Sequence, residues 1–205
     1  TITGPEAVIV GPAWDDGDLG EVVGMRSITV AGSPIEGPIT TVIAQHLPSP
    51  GVTRPIVALD VYLGTAAVAG DRWRIALYAA TGGTATPTGE DLLVDLDQIP
   101  ASQIGTNRWA RIALPSVVTA DQAMWCILKG NVGTTQVGGR LTGDGLIGDW
   151  TAQALQQGNG GGTPISTDPT VAWPETFGET TGASSAFVCG IRLVVASTTH
   201  DASHH

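Results

Sequence analysis

The sequence predicts an all-β protein, an antiparallel β-sandwich of about ten strands, and three observations predict it. Apolar and polar residues alternate with a period of two through the middle of the chain, which is how a strand with one buried face reads. Val, Ile and Thr are abundant, and their branching favours pleated backbone, while 28 Gly and 13 Pro interrupt the 205 residues too often for long helices. Charged residues make up 14 %, well below the usual figure of about 25 %, which leaves little to solvate a long helix or a coiled coil.

The strand-like runs, in order, are 7–10, 21–30, 39–46, 55–63, 72–79, 92–96, 108–114, 123–129, 136–141, 146–150 and 186–196. Turn chemistry separates them. Gly32-Ser33-Pro34, Pro48-Ser49-Pro50-Gly51, Thr81-Gly82-Gly83 and Gly130-Asn131 supply the positive or fixed φ that reversals need. Ser116–Lys129 lacks both Gly and Pro and opens like a helix, but it holds Val117, Val118, Thr119, Trp125 and Ile127. Short strands at this spacing read as a sandwich or barrel.

Alternation is plainest between residues 54 and 129. Val57, Leu59, Val61 and Leu63 share one face of their run, with Ala58, Asp60 and Tyr62 on the other. Trp73, Ile75 and Leu77 oppose Arg72, Arg74 and Tyr78. Ala110, Ile112 and Leu114 oppose Trp109, Arg111 and Ala113, and Met124, Cys126 and Leu128 oppose Trp125, Ile127 and Lys129. One face of each run is expected to close on the core and the other to be half solvated.

With no composition break and no fixed-period repeat, the chain reads as one domain. Residues 1–20 form an N-terminal arm or first hairpin, 21–199 the sandwich, and 200–205 a C-terminal tail. A Gly/Thr/Pro-rich loop spans 156–185 and carries Trp173, Pro174 and Phe177. A loop this long in a compact domain tends to be functional. Its aromatics imply that it docks, either on its own sandwich or on a neighbouring chain.

Net charge is −10, from 19 acids and 9 bases of which only Lys129 is a lysine. No basic patch exists for phosphate backbones, so nucleic acid is not an expected partner. An acidic surface keeps a protein soluble and self-repelling. No run approaches 18 apolar residues, so no membrane helix is expected. Thr1 opens the sequence without the basic, apolar and small-residue succession of a signal peptide, and the expectation is a chain made in the cytoplasm and not exported. Cys126 and Cys189 sit in apolar stretches without metal-ligand spacing. They read as buried thiols or, alternatively, as one disulfide closing a long loop.

Catalysis finds little support. Three of the four histidines, His200, His204 and His205, lie in the last six residues, so His46 is the one credible base. Nucleophile-elbow, zincin, phosphate-loop and dinucleotide motifs are absent from the sequence. No enzyme activity and no cofactor are expected. Asp15, Asp16 and Asp18 around Gly17 form a weak calcium candidate without the spacing or closing Glu of an EF-hand loop. The plainer reading is an acidic turn whose side chains bond their own backbone.

If neighbouring runs pair, Tyr62, Tyr78, Trp109 and Trp125 project from one polar face beside Asp60, Arg74, Arg111 and Lys129. Flat rings next to charged hydrogen-bonders suit a sugar. Tyr62, Tyr78, Trp109, Arg111 and Trp125 are therefore the carbohydrate candidates. The same face reads equally as a protein–protein interface or as ordinary sheet surface with cross-strand Trp–Arg pairs. Trp14, Trp173 and Phe177 are the interface candidates.

The blocks VALDVYLGTAAVAGDRWRIALYAATGG, GEDLLVDL, RWARIAL and TADQAMWCILKGNVGTT resemble the jelly-roll domains of tailed-phage virion proteins such as head-decoration, head-fibre and tail-fibre subunits. The resemblance covers about residues 53–135. It is carried by Trp73, Ile75, Leu77 and Tyr78 before a Gly-rich turn, then by Trp125 before Gly130 and Asn131. It implies a jelly-roll sandwich, a non-enzymatic virion subunit that forms homo-oligomers and meets other virion subunits. The arm and tail would dock it to neighbours. Jelly-roll carbohydrate-binding modules share the layout, so a sugar-binding module or host-surface adhesin that takes a glycan is the alternative implied.

Overall fold

The computed structural model describes residues 8–10, 21–24, 30–33, 42–47, 49, 55–63, 72–81, 87, 89–100, 108–119, 122–130, 137–141, 152–157, 166, 168–177, 180–185 and 187–196. These residues are all-β, with no helix among them. Fourteen strands are described: β1 Val8–Val10, β2 Glu21–Gly24, β3 Val30–Ser33, β4 Val42–Leu47, β5 Ile56–Leu63, β6 Arg72–Ala79, β7 Leu92–Pro100, β8 Arg108–Val118, β9 Met124–Gly130, β10 Val137–Leu141, β11 Ala152–Gln157, β12 Thr180–Ser185, β13 Phe187–Cys189 and β14 Ile191–Val195. About ten were expected. The predicted run 186–196 contains two short strands, run 21–30 contains β2 and only the first residue of β3, which continues into the expected Gly32-Ser33-Pro34 turn, and β11 and β12 lie where no run was read. Run 146–150, most of the arm and the tail fall outside the described residues.

The strands form two sheets that face each other in a β-sandwich-like arrangement. The first contains the path β1-β8-β5-β14-β2, with β10, β13 and β3 joined at the Leu63 end of β5, and the second runs β12-β11-β4-β9-β6-β7. Pairing is antiparallel except for β1 beside β8. The long-range pairs are nested. Strand β2 pairs with β14, β4 with β9, β5 with β8, and β6 with β7. The links β5 to β14 and β6 to β9 join those pairs into sheets.

Most of the predicted inward residues make the core; Val57 does not, because the irregularity between Ile56 and Ala58 turns it outward beside Ala58 and Val194 and puts Ile56 inside instead. Leu59, Val61, Ala110, Ile112, Ile191 and Leu193 from the first sheet meet Trp73, Ile75, Leu77, Met124, Cys126 and Leu128 from the second in one buried cluster. Full burial of each large aliphatic side chain stabilises by about 1.5–3 kcal/mol, so this layer is the main support of the fold.

Two strands run further than predicted, each through a bulge. In β7 the ladder steps from Arg74↔Gln98 to Ala76↔Asp95, and the bulge holds Asp97 at φ 59°. In β8 it steps from Ala58↔Ala113 to Ile56↔Val118, leaving Pro115, Ser116 and Val117 exposed. A proline has no ladder donor and is tolerated at such a place.

Candidate functional site

The outer faces of the two sheets depart furthest from the expected half-solvated surface. On the first sheet, Asp60 projects outward from β5 between Arg111 of β8 and Arg192 of β14, as the registers Asp60↔Arg111 and Arg192↔Asp60 dictate. Arg111 donates from Nε to Asp60 Oδ1 at 2.7 Å and from Nη2 to Oδ2 at 3.0 Å, and Arg192 donates from Nε to Oδ2 at 2.9 Å. The carboxylate has no exposed surface. Arg192 also lies over the Trp109 ring, 4.0 Å from its centroid, and Trp109 meets Tyr62 edge-to-face at 5.5 Å. The bond to Asp60 raises the pKa of Arg111, while burial lowers that of Arg192 against the opposing pull of Asp60. Arginine stays charged under either influence, so the triad carries one net positive charge. Burial alone pushes the Tyr62 phenol up.

On the second sheet the outer side chains Arg74, Tyr78, Trp125 and Lys129 lie beneath residues 168–177, which run across them as a strap. Arg74 donates from Nε and Nη2 to Asp95 at 2.8–3.0 Å and from Nη1 to the Pro169 carbonyl at 3.3 Å. Lys129 Nζ donates to the Val171 carbonyl at 2.6 Å, and the Tyr78 hydroxyl donates to the Pro174 carbonyl at 2.7 Å. The Trp173 amide donates to Asp95 at 3.2 Å. Backbone bonds join Leu92 to Glu175, Phe177 to Glu90 and Gly89 to Phe177. Val42, Ala44, Ala76, Tyr78, Trp125, Ile127, Trp173 and Phe177 form a second apolar cluster. Burial, reinforced by Asp95, holds the Tyr78 phenol far above its usual range. At the outer end of the strap, Asp168 accepts bonds from the amide and hydroxyl of Thr170, which lower its pKa.

This arrangement corrects the single aromatic face expected of the five carbohydrate candidates. Tyr62, Trp109 and Arg111 lie on the outside of the first sheet, Tyr78 and Trp125 on the outside of the second. The sandwich separates the two groups, because the four runs that carry these side chains, β5, β6, β8 and β9, belong in turn to the first, second, first and second sheet. Tyr62, Tyr78, Trp109 and Trp125 are all buried, so none of these four candidates offers an open ring for a sugar to stack upon. Trp173 and Phe177, expected at an interface between chains, are buried on their own sheet, the first of the two destinations the loop allowed. Trp14 and the calcium candidates Asp15, Asp16 and Asp18 lie outside the described residues. Among the described residues no group of three or more His, Cys, Asp or Glu could hold a metal ion. His46 is buried edge-on to Trp125 at 5.0 Å.

Sequence reasoning missed Asp95 and Arg192. Both had a signal: a charged residue at an outward position in a run otherwise apolar, DLLVDL and IRLVV, needs a partner of opposite sign on the adjoining strand.

A two-sheet β-sandwich-like fold whose described outer side chains are engaged in charge pairs and aromatic contacts is the class that fold and site define. No family model, no curated protein and no solved structure matches the chain.

Proposed function

We propose that the chain is a non-enzymatic structural subunit, a jelly roll of the kind tailed-phage virion proteins use, which assembles by protein–protein contacts with copies of itself and with other virion subunits. The observation that carries this reading is the nested pairing. Taking β2, β4, β5, β6, β7, β8, β9 and β14 as the eight principal strands, the first pairs with the last, the second with the seventh, the third with the sixth and the fourth with the fifth. A long hairpin rolled up on itself gives this order, and viral capsid and lectin domains use it.

The charges support a structural role over ligand capture. Asp60 and Asp95 are engaged by Arg111, Arg192 and Arg74 within the chain. The rings best suited to stacking on a sugar are covered, so the buried polar groups serve rigidity. Contacts with neighbours are assigned to the arm and the tail and, among the described residues, to the exposed bulge of β8.

Light scattering on a sizing column tests the reading with the full chain. A trimer or higher species is expected, and a monomer at every concentration overturns it. A glycan array run beside it is expected to stay dark. A signal that disappears in Trp109→Ala would favour the sugar-binding alternative.

A further inference from the structure

Lys129 is the chain's one lysine and sits under the strap, 2 % exposed. Its ammonium touches the Val171 carbonyl at 2.6 Å and lies 4.2 Å from the centroid of the Trp173 ring. Both contacts come from the strap, so they last only while residues 168–177 are seated. Among the described residues no carboxylate forms an ion pair with it. On β6, the residue directly opposite is Arg74, a like charge. On β7, Asp95 and Asp97 are both paired with that arginine. On β4, His46 packs against Trp125. On the strap, exposed Asp168 acts through space.

An ammonium withdrawn from water needs an acid partner or full hydrogen bonding. Here it has one carbonyl and the face of a ring, beside an arginine. The seat has a second weakness: the indole N–H groups of Trp125 and Trp173 are buried without an acceptor among the described residues, and buried donors left unmade cost free energy.

We infer that residues 168–177 are a proton-operated cover over Tyr78 and Trp125, loosened when Lys129 is protonated and tightened when it is neutral. The direction follows from linkage. Burial first, then Arg74, lower the Lys129 pKa from 10.5 to about 8 in the seated form, against smaller opposing pulls from Asp95 and Asp168. Lifting the strap returns the amine to water and to its ordinary value. The seated form therefore binds the proton more weakly. Seating strengthens as pH rises from about 8 towards 10.5 and is insensitive to this group below about 8. Across that interval the opening equilibrium falls by up to about tenfold per pH unit.

Two measurements on the full chain test this. With lysine labelled at Cε, the single side-chain signal is expected to titrate near 8; titration at 10.5 or above overturns the inference. Subtilisin cleavage within 168–177, divided by the rate on a free peptide of the same sequence at the same pH, reads the open fraction. It is expected to fall several-fold between pH 8 and 10 in the native chain and to be flat and low in Lys129→Met. A flat profile in the native chain overturns the inference. If Lys129→Met does not fold, Lys129→Gln serves, and the titration of the native lysine decides alone.

Discussion

Arg111 grips Asp60 through two bonds, of 2.7 and 3.0 Å, at a point where the carboxylate has no exposed surface. Arg192 adds a third bond from the other neighbouring strand. Removing the acid strands two guanidinium groups on a covered face. Breaking a buried ion pair from one side costs about 3–5 kcal/mol, and Asp60→Asn is expected to lose that much in urea unfolding. Arg192→Met leaves Asp60 with Arg111 and keeps an apolar stem over Trp109, so it should cost less than half as much. Equal losses for the two variants would mean that Arg192, not Arg111, is the main partner.

Tyr78 gives the strap an alkaline limit. Its hydroxyl donates to the Pro174 carbonyl, and burial with nearby Asp95 raises its pKa above the ordinary value of 10.0. A raised folded pKa means the contribution is complete below about pH 10 and is lost as pH climbs from there towards the folded value. Lys129 tightens the strap from about pH 8 upward, so strap protection should peak near pH 10 and then decline. Tyr78→Phe should remove the decline and cost about 1 kcal/mol at neutral pH, the net worth of one hydrogen bond. Hydrogen exchange of the Trp173 amide, corrected for intrinsic rate, measures both.

The core was legible in the sequence because period two is a local property. Leu59, Leu77 and Ile112 were placed inward by alternation alone, and all three are buried. The outer faces were not legible. Alternation says that Tyr62 and Tyr78 point away from the core, but not that β5 and β6 belong to different sheets. That assignment depends on pairings such as β5 with β14, more than a hundred residues apart. Nor does a local pattern tell a solvated face from a covered one. Lys129 reads as an ordinary surface charge in its own run, and what covers it, Val171 and Trp173, comes over forty residues later. Trp173 and Phe177 signalled docking by their type but not the place.

Backbone conformation at two positions makes opposite forecasts. Asp97 sits at φ 59°, a left-handed conformation that costs a non-glycine residue roughly 1 kcal/mol. Its contact with Arg74 is at 3.2 Å, from a side chain 78 % exposed, and an exposed pair contributes little. Asp97→Gly is therefore expected to be neutral or to stabilise by up to about 1 kcal/mol. Gly89 sits at φ 71° with open space where a methyl group would project. Gly89→Ala should still cost about 1 kcal/mol, from the backbone and not from crowding. Shifts in the denaturation midpoint with unchanged slope would register each; a large loss in Asp97→Gly would mean that the carboxylate matters more than its backbone.

The strap's aromatics should fail together. Phe177 meets Tyr78 edge-to-face at 5.1 Å and Trp173 at 6.2 Å, and both strap rings are buried. Truncating a buried Phe or Trp in a continuous core costs about 3–5 kcal/mol. A segment that can lift while the sheets stay closed loses at most its own docking free energy, since it opens as a separate unit. Once Phe177→Ala has unseated it, Trp173→Ala has no docked state left to weaken. The double variant should therefore lose little more than either single one, a coupling that a double-mutant cycle reads directly. The tryptophan emission of Trp125, covered in the native chain, should shift to the red in all three. Additive losses would show instead that strap and sandwich unfold as one cooperative unit, and Asp95, which holds both Arg74 and the Trp173 amide, would be the joint that makes them so.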